Sequence, residues 1–399
     1  MRVLMISDVF FPRINGVSTS IESFRNALAE LDVEVRLVAP AYPQGHEHDE
    51  WIVRVASRRV PFDPEDRLMR GKALRRALDD LGRWRCDLVH VQTPFAAHYA
   101  GLGHARRRGL PCIATYHTHF EEYLHNYVPA LPPAALRALA RVVARRQCNA
   151  LDAVVVPSGA MQDTLTAYGV KVAVHRVPTG IPVDHFGAVC RAARTDFRAR
   201  FGIPADAPVA LYVGRAAHEK NVGFLLDALP HALERMPGLL LVIAGEGPAL
   251  PALRSQAEAL GIGAQVRFVG YLDRQDELPA CYAAADVFVF SSRTETQGLV
   301  LLEALAAGLP VFAFAALGTR EIVEPRRGAL PAPQEPRAFG AQLASSARRW
   351  RPRRAPSRAS GPPRPARAGW SRCIARRGNV RRRDAPALSW FRHESVMIA

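Results

Sequence analysis

Two glutamates eight residues apart carry the first chemical signal. In RTETQGLVLLEALAAGLPV, residues 293–311, Glu295 and Glu303 flank Gly298 at the point where an apolar strand gives way to an apolar helix. The N–H groups of such a loop, with the positive end of the helix behind them, can face a diphosphate. A carboxylate on the loop can accept sugar hydroxyls, and one on the second turn of the helix can accept those of a ribose. Two glutamates at this distance are common by chance, but their placement around a glycine between strand and helix is not.

A second cluster lies upstream in VGRAAHEKN, residues 213–221, where Arg215 and Lys220 follow a strand. A departing nucleoside diphosphate builds up negative charge, and two fixed cations in a closed cleft stabilise it without a metal. A solvated loop would also carry Arg and Lys, yet Lys220 is one of three lysines in the chain, with Lys72 and Lys171. In YHTHFEEYLHNY, residues 116–127, His117 and His119 are followed by Glu121, Glu122 and His125. The segment has no HExxH pattern and no cysteine partner, so a metal site is not expected. His117 stands where a strand meets a loop, which suits a cleft role better than an ordinary surface position. In PRINGVSTS, Gly16 lets backbone approach a ligand, and the helix start at Val17 to Ser20 offers N–H groups to a phosphate. A turn glycine with no ligand is an equally simple reading there.

The elements that position these residues alternate throughout. Apolar strands are expected at 2–7, 34–40, 87–92, 111–118 and 153–158, with an amphipathic helix over 17–31. The run 176–200 loosens into a connection that opens with RVPTGIPVDHF, two prolines and a glycine, and goes on as a polar, Arg-containing stretch. A second series of strands follows at 207–215, 239–248, 265–272, 285–292 and 309–316, with helices over 222–235 and 298–307. Strands joined by helices imply parallel sheets covered on both faces. In open sheets of this kind ligands bind beyond the carboxyl ends of the strands, where all four motifs fall. The expected division is 1–180, a connection at 181–200, a second domain at 201–344 and a tail at 345–399.

Composition narrows the class. About half of the 399 residues are apolar (49%), which excludes a disordered or fibrous chain. No apolar run approaches the ~20 residues of a membrane-spanning helix. Asp8 interrupts the N-terminal apolar stretch, which makes a poor signal peptide and a good first strand. The six cysteines, Cys86, Cys112, Cys148, Cys190, Cys281 and Cys373, are scattered, so reduced thiols and a cytoplasmic location are expected. Net charge is +16, but residues 345–399 hold 15 arginines, no lysine, one Asp and one Glu, leaving the first 344 residues nearly balanced. The tail reads as a disordered basic segment for nucleic acid or anionic lipid, as a solvated tail without a role, or as a frame-shifted stretch of a GC-rich gene. Its abrupt onset in mid-domain favours the last.

Taken together, these residues resemble the retaining GT-B glycosyltransferases of family 4, which include phosphatidylinositol mannosyltransferases and diacylglycerol glycosyltransferases. The match covers residues 1–343, and its most specific part is Glu295 and Glu303 with VGR…EKN upstream. The resemblance implies an α/β fold of two Rossmann-like doubly wound domains facing across a cleft, and composition adds the expectation of a disordered basic C-terminal tail. It implies that Glu295 holds the donor sugar's hydroxyls and Glu303 the ribose, and that Arg215 and Lys220 bind the diphosphate. Gly16 would meet the phosphate or acceptor and His117 would lie beside the transferring sugar. Leu272 and Asp273 would contact the base, and Thr296, Gln297, Gly298 and Leu299 would line the donor. The diphosphate departs and the acceptor hydroxyl attacks from the same face. No cofactor and no metal are implied, since the nucleoside-diphosphate sugar (UDP- or GDP-linked) is a substrate.

The family's usual EGFG core stands here as Glu295-Thr296-Gln297-Gly298, with Gln297 in the place of Phe. That variant, with Tyr116-His117-Thr118-His119, is similar to the lipid-directed branch that includes the sulfoquinovosyl-diacylglycerol synthases. The family's final helices return to the N-terminal domain, whereas the Arg/Pro/Ala tail holds no such helices. The expected acceptor is a membrane lipid such as diacylglycerol or phosphatidylinositol, met at the inner face of the plasma membrane, and no nucleic acid is expected. Two basic clusters fit an anionic surface: Arg137, Arg141 and Arg145 on one helix, and Arg67, Arg70, Lys72, Arg75 and Arg76. Each cation near such a surface contributes about 1 kcal/mol. A solvated helix face is the alternative for either segment. Two rival functions remain: a nucleotide-sugar epimerase that uses the same cleft without an acceptor, and a non-enzymatic protein that acts through its basic tail.

Overall fold

Runs of Val, Ile and Leu apolar on both sides cannot face water, so they pair in parallel and take helices on both faces. A computed structural model describes residues 1–43, 49–60, 63–119 and 132–346. Its first nine strands are β1 (Arg2–Ile6), β2 (Glu34–Pro40), β3 (Ile52–Val55), β4 (Ser57–Val60), β5 (Asp63–Met69), β6 (Leu88–Val91), β7 (Cys112–Thr115), β8 (Ala153–Val156) and β9 (Ala173–Arg176). Seven of these form one parallel sheet in the order β3-β2-β1-β6-β7-β8-β9, while β4 and β5 make a separate antiparallel pair. The helices between them are α1 (Gly16–Ala29), α2 (Gly71–Asp80), α3 (Ala96–Arg108), α4 (Pro133–Asn149) and α5 (Gly159–Ala167). Alternation along β1 sends Leu4 and Ile6 into one core and Val3 and Met5 into the other. Ile21 of α1 closes the second core, and α2 to α5 cover the first through residues such as Leu74, Ala105, Cys148 and Leu165.

The second half repeats the plan. Strands β10 (Val209–Val213), β11 (Leu240–Ala244), β12 (Val266–Gly270), β13 (Val287–Phe290), β14 (Val311–Ala313) and β15 (Ala329–Pro331) form a parallel sheet in the order β12-β11-β10-β13-β14-β15. Its helices are α6 (Val183–Gly187), α7 (Arg191–Arg200), α8 (Gly223–Leu233), α9 (Leu250–Ala259), α10 (Glu277–Ala284), α11 (Leu299–Ala306), α12 (Arg320–Val323) and α13 (Pro336–Ser346). Phe339 of α13 seals one end of the core, 4.7 Å from Phe312 and 5.3 Å from Phe224 between ring centroids. The two doubly wound sheets expected from the alternating pattern are therefore present.

Strand order reverses between β1 and β6 in the first sheet and between β10 and β13 in the second. At these switch points the loops leaving adjacent strands part in opposite directions and open a crevice. The loop after β10 carries Arg215 and Lys220, and the loop after β13 carries Glu295.

The connection expected to be loose is largely helical. Arg198, on α7, is 4% exposed and donates to the carbonyls of Ala284, Pro204, Ala205 and Ala207, with Asp286 at 3.2 Å. Arg198 lies beside Phe197, the one large apolar side chain that this helix buries, so the helix has no apolar period to mark it as amphipathic. Five of the cysteines are free thiols, of which only Cys190 is exposed. Among the described residues no helix is long and apolar enough to cross a membrane. Glu121, Glu122 and His125, and all but the first two residues of the 345–399 tail, lie outside the described residues.

Asp8, just beyond β1, ties the first switch point together. Its carboxylate accepts from Thr93 Oγ1 at 2.7 Å and from the Ala97 N–H at 3.1 Å, at the start of α3. Burial pushes its pKa up from 3.8 to about 6, against the opposing pull of these hydrogen bonds. The folded state therefore holds an extra proton between these pH values. The stability so gained is complete below about pH 4 and lost as pH rises through about 6. At ~1.4 kcal/mol per pKa unit the loss is on the order of 3 kcal/mol. Asp8→Asn keeps an acceptor for Ala97 but removes the titration. Urea denaturation from about pH 4 to 7 is expected to show a flatter stability profile in the variant; parallel profiles would contradict this assignment.

Candidate functional site

The second switch point is built by two loops that bond to each other. Asn221, in the left-handed region at φ 54°, donates through Nδ2 to the Ser291 carbonyl at 3.3 Å, and Ser291 Oγ donates back to the Asn221 carbonyl at 2.8 Å. This cross-tie sets Lys220 beside Glu295, with Nζ 2.5 Å from Oε1. Both side chains are partly buried, at 20% and 16% exposure. Arg215 lies on the same loop, five residues before Lys220, and its carbonyl accepts from Tyr212 Oη at 3.2 Å. Gly245, at the end of β11, must be a glycine, because a Cβ there would sit 2.1 Å from the Gly214 carbonyl oxygen.

Beyond Glu295 the chain turns through Gly298, at φ 90°, into α11, whose first residue is Leu299. The first N–H groups of that helix have no partner within it, which makes its start a place for an anion. Glu303 lies on the second turn and is 1% exposed. Its Oε1 accepts from Arg274 Nη2 at 2.6 Å and its Oε2 from Tyr282 Oη at 2.9 Å. Burial opposes the Arg274 charge, but the Glu303 carboxylate outweighs it and holds the guanidinium above its usual pKa. Burial, joined by the Glu303 charge, pushes the Tyr282 phenol well above the tyrosine range. Leu272 is buried, while Asp273 is exposed and accepts from the N–H groups of Gln275 and Asp276, both at 2.9 Å. The Arg274 carbonyl also lies 2.8 Å from His185 Nε2 in α6.

The N-terminal half contributes His117. Its Nε2 lies 2.9 Å from Gln92 Oε1, so with the amide in this orientation Nε2 carries the proton. Burial, with His90 behind it, pushes the imidazole down to a pKa of about 3, so the ring is neutral at physiological pH. A cavity of about 30 Å³, room for one water, is lined here by Gln92, His98, Tyr116, His117 and Gln147. Gln92 Nε2 is buried and finds no protein partner among the described residues. Gly16 is exposed at the start of α1, where Asn15 caps the helix by accepting from the Ser18 N–H at 2.8 Å. Among the described residues no three His, Cys, Asp or Glu side chains converge as metal ligands.

The two halves meet at the residues that follow Glu295. Thr296 Oγ1 donates to the His117 carbonyl at 2.9 Å, and Ser158 Oγ donates to the Thr296 carbonyl at 2.6 Å. The Gln297 side chain pairs with the backbone of Thr179. The structure thus brings Lys220, Glu295, Thr296, Gln297 and His117 into one connected group, and sets Glu303 in a separate one with Arg274 and Tyr282. Sequence reasoning passed over Arg274, Tyr282, Gln92 and Thr179. Arg274 had a visible signal, as the one basic residue between Asp273 and the start of α10.

Residues 14–185 match the family described as Glycosyltransferase Family 4, and residues 193–359 match Glycosyl transferases group 1. Alpha-monoglucosyldiacylglycerol synthase of Streptococcus pneumoniae is 32% identical over 317 residues, which is 78% of this chain and 71% of that protein. The GDP-mannose-dependent alpha-(1-6)-phosphatidylinositol monomannoside mannosyltransferase of Mycolicibacterium smegmatis is 31% identical over 329 residues, covering 80% and 82%. Among solved structures, Anabaena Alr3699/HepE in complex with UDP and glucose superposes with a TM-score of 0.70 at 18% identity, covering 87% of this chain and 89% of that one, a likeness of fold.

Replacing Arg274 by Met leaves Glu303 buried without its cation. Breaking one side of a buried ion pair costs about 3–5 kcal/mol. Urea denaturation of Arg274→Met is expected to show a loss of that size, partly recovered by adding Glu303→Gln. A loss below about 1 kcal/mol would show that the pair is not desolvated as described.

Proposed function

Because this chain belongs to the group 1 glycosyl transferases of glycosyltransferase family 4, we propose that its second switch point binds the diphosphate and sugar of a nucleotide-sugar donor. The chain is a hexosyltransferase that moves a sugar from a nucleoside diphosphate to a hydroxyl acceptor. The observation that carries the site assignment is the Lys220–Glu295 pair across β10 and β13.

In this reading Arg215, Lys220 and the start of α11 take the diphosphate. An incoming phosphate competes for the Lys220 ammonium, and Glu295, released from it, accepts the hydroxyls of the sugar. As the glycosidic bond breaks, charge grows on the leaving diphosphate, and the two cations and the helix end stabilise it where water is excluded. Glu303 receives the ribose hydroxyls. Each of its oxygens is already engaged once, but a carboxylate oxygen has a second lone pair to offer. Leu272 and Asp273 lie beside the base. His117, neutral at physiological pH, acts on the sugar by hydrogen bonding and not by charge. The acceptor hydroxyl then attacks from the face the diphosphate leaves.

The acceptor is a membrane lipid, diacylglycerol or phosphatidylinositol in class. The names of the two relatives above support this, and so does the N-terminal surface. α3 and α4 contain seven arginines and no acidic residue. Arg137, Arg141 and Arg145 are exposed along one side of α4, and Leu139 at 53% exposure and Val143 at 39% along the opposite side. The arginines attract anionic lipid, and the helix offers the two apolar side chains separately from them. The enzyme accordingly works at the inner face of the plasma membrane.

The test is to incubate the protein with UDP-glucose or GDP-mannose and phosphatidylglycerol vesicles containing diacylglycerol or phosphatidylinositol, then to analyse the lipids by mass spectrometry. One pairing is expected to yield a glycolipid, and Glu295→Gln to lower its formation roughly 100-fold or more. Donor turnover without a glycoside would instead indicate an epimerase. A folded protein that converts no donor in any pairing would overturn the proposal.

A further inference from the structure

Gln297 does more than fill the place of an aromatic residue. It is 8% exposed, and both ends of its amide are taken up by a single residue of the other half. Oε1 accepts from the Thr179 N–H at 3.0 Å, and Nε2 donates to the Thr179 carbonyl at 2.9 Å. Thr179 is itself 3% exposed and lies between β9 and α6, where the chain leaves the first sheet for the second. Its Oγ1 lies 2.7 Å from Ser20 Oγ on α1, the helix that begins at Gly16. The next residue back, Thr296, bonds to the His117 carbonyl and to Ser158. On the far side of the loop, Glu321 accepts from the N–H groups of Gly159 and Ala160 at 2.6 and 3.2 Å, at the start of α5.

We propose that Gln297 is a positioning residue that clamps the loop carrying Glu295 to the backbone of Thr179, and so sets Glu295 against His117 for sugar transfer, with a larger effect on transfer than on nucleotide binding. This rests on the reading of Glu295 and His117 given above. A buried N–H and a buried carbonyl on one residue both need partners, and a primary amide supplies an acceptor and a donor on the same carbon without a change of protonation state. Methionine matches the length of glutamine but leaves both groups of Thr179 unpaired. An ionised glutamate accepts from the N–H but repels the carbonyl, and a protonated one can serve both. The diphosphate ligands Arg215 and Lys220 sit on the other side of the switch point, on a loop that does not bond to Thr179. Loosening the clamp therefore misplaces the sugar-holding carboxylate first, while Arg215 and Lys220 keep their own loop, which stays tied to Ser291 through Asn221.

The test uses the full chain with Gln297→Met and Gln297→Glu. Three quantities are read: hydrogen exchange of the segment containing the Thr179 N–H without ligand, calorimetric affinity for UDP and GDP, and the initial rate with the donor and acceptor vesicles that support transfer. In Gln297→Met the Thr179 amide is expected to exchange at least about tenfold faster. The rate constant kcat should fall roughly 100-fold, the cost of a displacement near 1 Å, and nucleotide affinity by about tenfold less than that. In Gln297→Glu the rate is expected to recover as pH falls and the carboxyl takes up a proton, a trend the wild type lacks. Unchanged exchange at Thr179 would overturn the clamp. So would a parallel loss of nucleotide affinity and kcat, which would make Gln297 a donor ligand. Failure of the wild type to bind either nucleotide would sink the donor-site reading instead, with the exchange measurement still deciding whether the clamp exists.

Discussion

The Lys220–Glu295 ion pair is the contact on which the site depends. The two residues are 75 positions apart and meet because β10 and β13 are neighbours whose carboxyl ends point the same way. Their loops would diverge without the hydrogen bonds between Asn221 and Ser291 that hold them together. A partly buried pair of this kind contributes little to stability. Its consequence is chemical. On the proposed reading, each charge keeps its partner in place until a phosphate arrives for the lysine and hydroxyl groups arrive for the glutamate.

Around that pair the fold sorts its polar groups by the charge each carries. Glu303 sits in near-total burial with Arg274 and Tyr282 both donating to its carboxylate. Asp8, with only a hydroxyl and a helix end to stabilise it, is driven toward its neutral form. His117, packed with His90 behind it and with no carboxylate partner among the described residues, is also kept neutral. The donor side of the site is therefore rich in charge, and the side contributed by the first sheet is poor in it. A leaving diphosphate needs the former, while a sugar ring and a lipid hydroxyl need the latter.

Much of this architecture could be read before any coordinates. β1, β2, β6, β7, β8 and β10 to β14 are short apolar runs, and the solvent-free faces of a parallel sheet demand that composition. β9 and β15 escaped because they are edge strands of four and three residues with little burial pattern. α7 escaped because only Phe197 among its residues is a buried large apolar side chain, with the buried Arg198 beside it, which leaves no apolar period to read. At the site, the residue types were legible and the partners were not. Glu295, Glu303, Arg215 and Lys220 announce themselves by type and by their position after strands. Nothing local says that Arg274 and Tyr282 close on Glu303 from 29 and 21 residues away, or that Gln297 reaches Thr179 across 118. Gln297 was visible as a substitution in a motif, but its function lies in a backbone contact that no side-chain pattern encodes.

The most direct measurement is calorimetric titration of the wild type and of Lys220→Ala with UDP and with GDP. The account predicts that one of the two nucleotides binds and that removing the ammonium weakens it at least about tenfold, the loss of one charge-assisted contact to phosphate. Equal affinity in wild type and variant, or no binding of either nucleotide by a folded wild-type protein, would contradict the assignment of the β10–β13 switch point as the donor site.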